Sequence, residues 1–292
     1  MGKIMEYAYF PGCSSTGLAK DYGSSIDAVA EELGIDLKEI EGWVCCGATS
    51  AHATSHTLGL SLPAQSLTKV DAGKTVVTGC AACYSNLRKA VYEFNEKPDT
   101  KKEIEAIVED KIPDNINVKH LLDVFVSDYG LEKIKERVEK SLNGLKVACY
   151  YGCLLTRPPQ IVAFDDYENP VFLDRLVETL GGEAVKWNFK TECCGASLVI
   201  PKGEFVVRLV DKILHDAKNR GAECVIAACP LCQPNLDWRQ DEIKKQLNHQ
   251  YDLPIFYFTQ LIGIALGISP KKLMLNKLFV DPMPLLKAKE LI

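Results

Sequence analysis

Five cysteines in one fixed order occur twice in this chain, and any fold must satisfy that constraint before composition or propensity is considered. Cys13 is followed by Cys45-Cys46-Gly47 and then by Cys80-Ala81-Ala82-Cys83; Cys153 is followed by Cys193-Cys194-Gly195 and then by Cys229-Pro230-Leu231-Cys232. Between the solitary cysteine and the Cys-Cys pair lie 31 residues in the first copy and 39 in the second, and between the pair and the CxxC lie 33 and 34. The flanks repeat as well: Tyr9-Phe10-Pro11-Gly12 precedes Cys13 as Tyr150-Tyr151-Gly152 precedes Cys153, and an asparagine, Asn86 or Asn235, stands three positions after each CxxC. Gaps this alike do not arise by chance, so the chain reads as a duplicated thiol-bearing unit.

The compartment decides what such thiols become. The stretch Met1-Gly2-Lys3-Ile4-Met5-Glu6 lacks the apolar core of a signal peptide and carries Glu6 where a myristoylation signal needs Ser or Thr. The most apolar stretch, Leu261 to Leu266, is interrupted by Gly263 and falls far short of the roughly 18 residues of a membrane span. These features predict a cytoplasmic protein with no membrane span, and in a reducing compartment cysteine patterns point to metal before disulfides. With 34 Lys and Arg against 39 Asp and Glu the formal charge is −5, and thiolate ligands would lower it further, which argues against a nucleic-acid partner.

Hydrophobic patterning alternates strands with helices in both copies. Tyr7-Ala8-Tyr9-Phe10 is a strand run, and Ile26, Val29, Ala30 and Leu33 follow at helical spacing, with Gly34 placed to end the helix. Thr75-Val76-Val77-Thr78 is a β-branched run leading into the first CxxC, after which Ser85 to Phe94 is helical. In the second copy Lys146 to Tyr151 and Val225 to Ala228 are strand runs, and Phe205, Val206, Leu209, Val210, Ile213, Leu214 and Ala217 mark one helix face. The alternation predicts an α/β fold: two duplicated Rossmann-like domains, each with a mostly parallel sheet, related by pseudo-twofold symmetry. In such sheets ligands collect beyond the carboxyl ends of the strands, where the cysteines fall. Lys101 to Asp110 and Leu131 to Leu142 read as charged amphipathic helices with Asn143-Gly144 as the stop, so the domains are expected at 1–143 and 144–292. The tail after Gly267 contains Pro282 and Pro284 and is expected to drape over the surface.

Five thiols per unit exceed the four ligands of a tetrahedral structural zinc site. Iron-sulfur clusters suit clustered thiolates, and a multi-iron cluster has a use for a fifth sulfur. Gly47 and Gly195 are expected to let the backbone approach a bulky inorganic core. Thioredoxin-type dithiol exchange needs a single CxxC and leaves Cys13, Cys45 and Cys46 unexplained.

The double pattern resembles the cysteine-rich CCG domains, and a chain with two of them is similar to the B subunit of the heterodisulfide reductases of methanogens, from Tyr7 to about Pro282. The resemblance implies two non-cubane 4Fe4S clusters, one held by Cys13, Cys45, Cys46, Cys80 and Cys83, the other by Cys153, Cys193, Cys194, Cys229 and Cys232. It also implies a catalytic role, reduction of the coenzyme M–coenzyme B disulfide to two thiols in one-electron steps. Electrons would come from a ferredoxin-like subunit, itself joined to a flavin-bearing subunit. A partner is required in any case, because no flavin or nicotinamide fingerprint and no ferredoxin-type Cys-x2-Cys-x2-Cys-x3-Cys-Pro run occurs here. The alternatives are an electron-transfer subunit of a lactate, glycolate, glycerol 3-phosphate or fumarate system, as in related double-CCG proteins, or a zinc-bound scaffold.

Both coenzymes are anionic, which makes Arg157, four residues after Cys153, and Lys20, seven after Cys13, the candidate anion contacts. His52 and His56, four apart, are expected to share a helix face, with His52 the candidate proton donor. His120, His215 and His249 are read as structural residues within helices, and Cys149 and Cys224 as small buried hydrophobes. Tyr9, Tyr150, Tyr151 and Trp43 flank the cysteine loops and either shield the site or pack the core.

Overall fold

In the computed structural model, which describes residues 5–48 and 50–292, the chain builds two four-stranded sheets. The first unit contributes β1 (Met5–Tyr9), β2 (Ile35–Glu39), β3 (Thr75–Thr78) and β4 (Asn117–His120) in the order β2-β1-β3-β4. The second contributes β5 (Lys146–Tyr150), β6 (Glu183–Ala184), β7 (Cys224–Ala227) and β8 (Ile255–Tyr257) in the order β6-β5-β7-β8. Every pairing is parallel. The fold is therefore α/β with two duplicated Rossmann-like sheets. In each, the chain runs from the first strand outward to the second and then crosses to the far side of the first. That reversal opens a crevice between β1 and β3, and between β5 and β7. A solitary cysteine follows one lip of each crevice and a CxxC follows the other.

The central strands are apolar because helices cover both faces: Val76, Val77, Val225 and Ile226 are fully buried. The first unit's main helices are α1 (Lys20–Leu33), α2 (His56–Leu67), α3 (Ala81–Glu96) and α4 (Pro98–Val108); the second unit's are α5 (Phe172–Thr179), α6 (Gly203–Asn219), α7 (Cys232–Leu247) and α8 (Phe258–Ala265). Helix α1 ends at Gly34, whose φ of 68° lets its N–H reach the carbonyls of Ala30 and Glu31. Helix α6 buries Val206, Val210, Ile213, Leu214 and Ala217, but Phe205 lies in its first turn and stays 56% exposed, off the expected face.

Several expectations fail where the two units touch. The helix from Leu131 stops at Glu136, because the next residues bond to the second unit: Glu139 and Lys140 N–H groups donate to the Ala265 carbonyl and Leu142 N–H to Leu180. Residues 139–142 thus form a connector held by the ends of α5 and α8. His120 closes β4 and His249 follows α7, so of the three expected helical histidines only His215 is in a helix. The tail is embedded, not draped: Leu273, Leu275 and Leu286 are fully buried. It ties both units, since the Lys272 carbonyl accepts from Ser24 Oγ at 2.9 Å while Asp237 accepts from Phe279 N at 2.6 Å and Val280 N at 3.1 Å.

The units share one apolar core. Tyr22 of α1 stacks on Tyr257 at the end of β8 with centroids 4.2 Å apart, Ser25 Oγ meets Thr259 Oγ1 at 2.7 Å, and Tyr84 donates to the Val162 carbonyl at 2.5 Å.

Candidate functional site

All ten pattern cysteines reach the crevice rims as free thiols, and they touch in the same way in both units. In the first, Cys13 and Cys45 sulfurs lie 3.8 Å apart near the surface, and Cys46 and Cys83 sulfurs lie 3.2 Å apart in the interior, where Cys83 also contacts Cys80. In the second, Cys153 contacts Cys193, and Cys194 contacts Cys232, which contacts Cys229. Each unit therefore has an outer pair and a buried triad. The two triads approach one another, close enough that Cys80 and Cys229 each shift the other's proton affinity. Equivalent residues facing one another are what a two-fold relation places at its axis.

Local backbone explains how the sulfurs are aimed. Cys80 is the N-cap of α3, and its sulfur accepts from the Cys83 N–H at 3.5 Å; Cys232 is the first residue of α7. Cys45 accepts from Gly47 N–H at 3.5 Å and Cys193 from Gly195 N–H at 3.3 Å. The glycines that make room for sulfur are those before the solitary cysteines: a Cβ on Gly12 would stand 3.0 Å from Cys83 Sγ, and one on Gly152 would stand 3.2 Å from Cys232 Sγ. Gly47 and Gly195 were expected to do this. Their missing Cβ atoms instead face packed helices, with Ala51 and Leu62 within 2.8 Å of the first and Leu209 within 2.9 Å of the second.

The asparagines after each CxxC hold the Cys-Cys turns. Asn86 Nδ2 donates to the Cys46 carbonyl at 2.9 Å, and Asn235 Nδ2 donates to the Cys194 carbonyl at 2.7 Å. Their oxygens have different partners: His52 Nε2 lies 3.1 Å from Asn86 Oδ1, whereas Arg239 Nε donates to Asn235 Oδ1 at 2.8 Å. Arg239 had not stood out in the sequence, although its place four residues after Asn235 on one helix face is the available signal.

Thiol–thiol contact splits the proton affinities. Cys193 is pulled down to about 6, chiefly by its hydrogen bond with Cys153, whose own thiol the same contact pushes up. Cys194 is lowered by Cys232, and Cys232 is raised by Cys194. Cys149 and Cys224 lie buried inside β5 and β7, where burial first, and then the nearby carboxylates of Asp174 and Glu223 respectively, push the thiols up and keep them protonated.

Among the other expected site residues, Arg157 is turned to Thr191, its NH2 donating to Oγ1 at 3.2 Å, so it joins the loop after Cys153 to the approach to Cys193. Lys20 is an exposed first residue of α1. His52 and His56 do not share a helix, because Ser55 ends one short helix at an extended φ of −160° and caps the next. The His52 ring packs over Gly59, its Nδ1 has no partner among the described residues, and burial lowers its proton affinity. Tyr9 and Tyr150 end β1 and β5 inside the core, and Tyr150 donates to the Glu192 carbonyl beside Cys193 at 2.6 Å. Tyr151 donates to Asp174 at 2.7 Å, while Trp43 packs edge-on against Phe10 at 5.3 Å.

A cavity of about 50 Å³ lies between the units, walled by Cys153, Cys193, Cys229 and Cys232 on one side and by Ala48, Ala81 and Ala82 on the other. It shares Ala196, Ser197 and Leu231 with a larger groove of about 470 Å³, lined mainly by apolar side chains including Leu18, Ile200 and Trp238, with Arg239 and Glu242 at its polar edge.

The cysteine-rich CCG domain family matches the chain twice, over residues 7–88 and 147–237. The chain belongs to the CCG family. Each match takes in all five pattern cysteines and the first three strands of one sheet, and ends before the fourth strand, β4 or β8. One relative, the 8-methylmenaquinol:fumarate reductase membrane anchor subunit of Wolinella succinogenes, is 34% identical over 94% of this chain and 97% of its own length. Another, the B subunit of the ferredoxin/F(420)H(2)-dependent CoB-CoM heterodisulfide reductase of Methanosarcina acetivorans, is 27% identical over 92% of each chain. A crystal structure of a hypothetical protein from Helicobacter pylori superimposes with a TM-score of 0.74 at 12% identity, over 96% of this chain and 53% of that one, and supports the fold alone. Among the described residues, no helix is long and apolar enough to cross a membrane.

The CCG repeats fit an iron-sulfur centre. Among the described residues no three donors converge as ligands of a single ion do. An outer pair and a buried triad of thiols, backbone N–H groups aimed at sulfur and a glycine where a Cβ would crowd sulfur suit such a centre.

Proposed function

We propose that this chain is the subunit of an electron-transfer complex in which two 4Fe4S centres face a common cavity and a disulfide is reduced there in one-electron steps. The observation that carries the reading is the approach of the two triads at Cys80 and Cys229, with cavity walls from both units. Cys13, Cys45, Cys46, Cys80 and Cys83 would hold one centre and Cys153, Cys193, Cys194, Cys229 and Cys232 the other. Such centres, when bound, supply one-electron transfer that the amino acids alone do not.

The chain's own residues do the remainder. Gly12 and Gly152 leave room at sulfur, the Gly47 and Gly195 N–H groups stabilise thiolate, and Asn86 and Asn235 fix the Cys-Cys turns. The small cavity admits the reacting sulfur atoms, and the groove takes the rest of the molecule, with Arg239 offering a guanidinium to an anionic end. Arg157 and Lys20 are replaced in that role. His52 enters as a brace for Asn86, and water in the groove supplies the protons. The substrate on this reading is the coenzyme M–coenzyme B disulfide, and the electron donors are a ferredoxin-like subunit and a flavin-bearing one.

A second reading, electron exchange with a quinol in a fumarate-reducing complex, is favoured by the apolar groove and by the 34% identity to the Wolinella subunit. Anaerobic analysis should find about eight irons with matching acid-labile sulfide, as two four-iron centres require; one or two zinc ions would sink both readings. Turnover of the assembled complex by a reduced viologen then separates them. Activity with the heterodisulfide supports the first, and activity only with a menaquinone analogue replaces it by the second.

A further inference from the structure

We propose that His120 is a positioning residue that locks the two CxxC turns to one another through a single N–H shared between the carbonyls preceding Cys80 and Cys229. His120 Nε2 lies 2.9 Å from the Gly79 carbonyl and 3.1 Å from the Ala228 carbonyl. Both partners only accept, so Nε2 carries the hydrogen. On the other side of the ring Nδ1 lies 3.2 Å from the Leu122 N–H, which only donates, so Nδ1 carries none. The tautomer follows from the partners alone. The ring is fully buried, edge-on to Tyr84 and Phe164 and tilted against Phe258, where neither nitrogen has water as an alternative.

Gly79 and Ala228 are equivalent residues of the two units, and each immediately precedes the first cysteine of its CxxC. One N–H therefore sets the separation of the strand ends that carry Cys80 and Cys229. The brace is one-sided. Register pairs Thr78 with His120 and Ala227 with Tyr257, so Tyr257 is the equivalent residue at the end of β8. Its hydroxyl is buried without a partner among the described residues. Tyr22 also donates to the Gly79 carbonyl, at 2.6 Å, but lies in the same unit and spans nothing. The consequence for electron transfer, a fixed distance between two centres, rests on the two-centre reading; the brace does not.

The test uses the full-length, metal-free chain under anaerobic conditions, so its outcome is separate from iron content. Dibromobimane joins nearby thiols, and peptide mass spectrometry gives the ratio of cross-unit links (Cys80 to Cys229) to within-unit links (Cys46 to Cys83). His120→Phe, which keeps a ring and loses the N–H, should lower that ratio about tenfold, the equivalent of one hydrogen bond. His120→Gln, which retains a donor, and Tyr22→Phe should stay within about threefold of the parent on the same scale. An unchanged ratio in the Phe variant, or an equal fall in the Gln variant, overturns the proposal. Should the Phe variant not fold, nitrogen-15 NMR of histidine in the unaltered chain decides: the neutral Nε2–H tautomer is expected at pH 7, and the Nδ1–H tautomer refutes the brace. In the iron-loaded protein the magnetic splitting between the centres should weaken in His120→Phe and persist in Tyr22→Phe.

Discussion

The first and second cysteine sites are alike where they touch sulfur and unlike where they face outward. Both have an outer pair, a buried triad, a glycine under the last cysteine of the CxxC, a glycine N–H on the first sulfur of the Cys-Cys pair, and an asparagine on the Cys-Cys turn. Yet Cys13 is exposed where Cys153 is half-buried, His52 braces one asparagine where Arg239 braces the other, and the apolar groove runs along α7 of the second unit. On the proposed reading the thiols in both repeats would be held to one geometry by the centre they bind, which leaves little room for change there. The rims had no such constraint and were free to specialise.

The strongest way to break this comparison is to remove one buried ligand from each side. If each triad holds one of the two proposed centres, Cys83→Ala and Cys232→Ala should each lose about half of the bound iron and leave the other half in place. Iron and sulfide analysis beside electron paramagnetic resonance reads this directly. If either substitution alone empties the chain, the ten thiols form one site and the two-centre description fails.

Asp237 offers a test of how the second unit is held. Burial raises its carboxyl to about 7 even though the Phe279 and Val280 N–H groups donate to it. The unfolded value is near 3.9, so between roughly pH 4 and 7 the folded chain binds more protons than the unfolded one. Stability from this group is then greatest below about pH 4 and falls as pH rises to about 7, by on the order of 4 kcal/mol. Asp237→Asn removes the titration, so parent-minus-variant stability, measured by urea unfolding across that window, should decline with pH. His120, which burial lowers to about 4, has the opposite slope, losing stability as pH falls from about 6.5. It is present in both proteins and cancels. A flat difference would mean that Asp237 is ionised throughout.

The asparagines come next in size. Asn86→Ala and Asn235→Ala each strip a donor from a buried carbonyl, worth about 1–3 kcal/mol. The sites should differ in coupling, since Arg239 is held by Asn235 and by Glu242 whereas His52 has Asn86 alone among the described residues. Double-mutant cycles should therefore give a larger interaction energy for Asn86 with His52, because Arg239 keeps a charged partner when Asn235 is gone. Equal coupling would remove this distinction between the rims.

Which parts of this could be read from residue order follows from what spacing encodes. Spacing along one strand-turn-helix is local, so the two cysteine sets, their place at strand ends, the helix stop at Gly34 and the thiol burial at Cys149 and Cys224 were all legible. Asn86 and Asn235 were visible as repeats, but their carbonyl partners lie about forty positions away and become apparent only when the turn folds back. What crosses between units was not legible at all. His120 was read as a residue within a helix, but it ends β4, and its second carbonyl partner, Ala228, belongs to the other unit. Gly47 and Gly195 were assigned to the metal side because they adjoin cysteines, but a glycine's neighbour in sequence does not say which way its missing side chain would point.

The smallest expected effect comes from the other end of the tail. On the first unit Lys272 pairs with Glu31 at 2.7 Å, both side chains more than half exposed, while the second unit holds the tail through buried Asp237. Water screens the exposed pair and both long side chains lose freedom in forming it, so Lys272→Ala should change stability by no more than the scatter of a urea unfolding measurement. The neighbouring Ser24 hydroxyl still reaches the Lys272 carbonyl, which the substitution leaves intact. A loss several times larger would show that the tail is clamped from both sides, and that the two units depend on it equally.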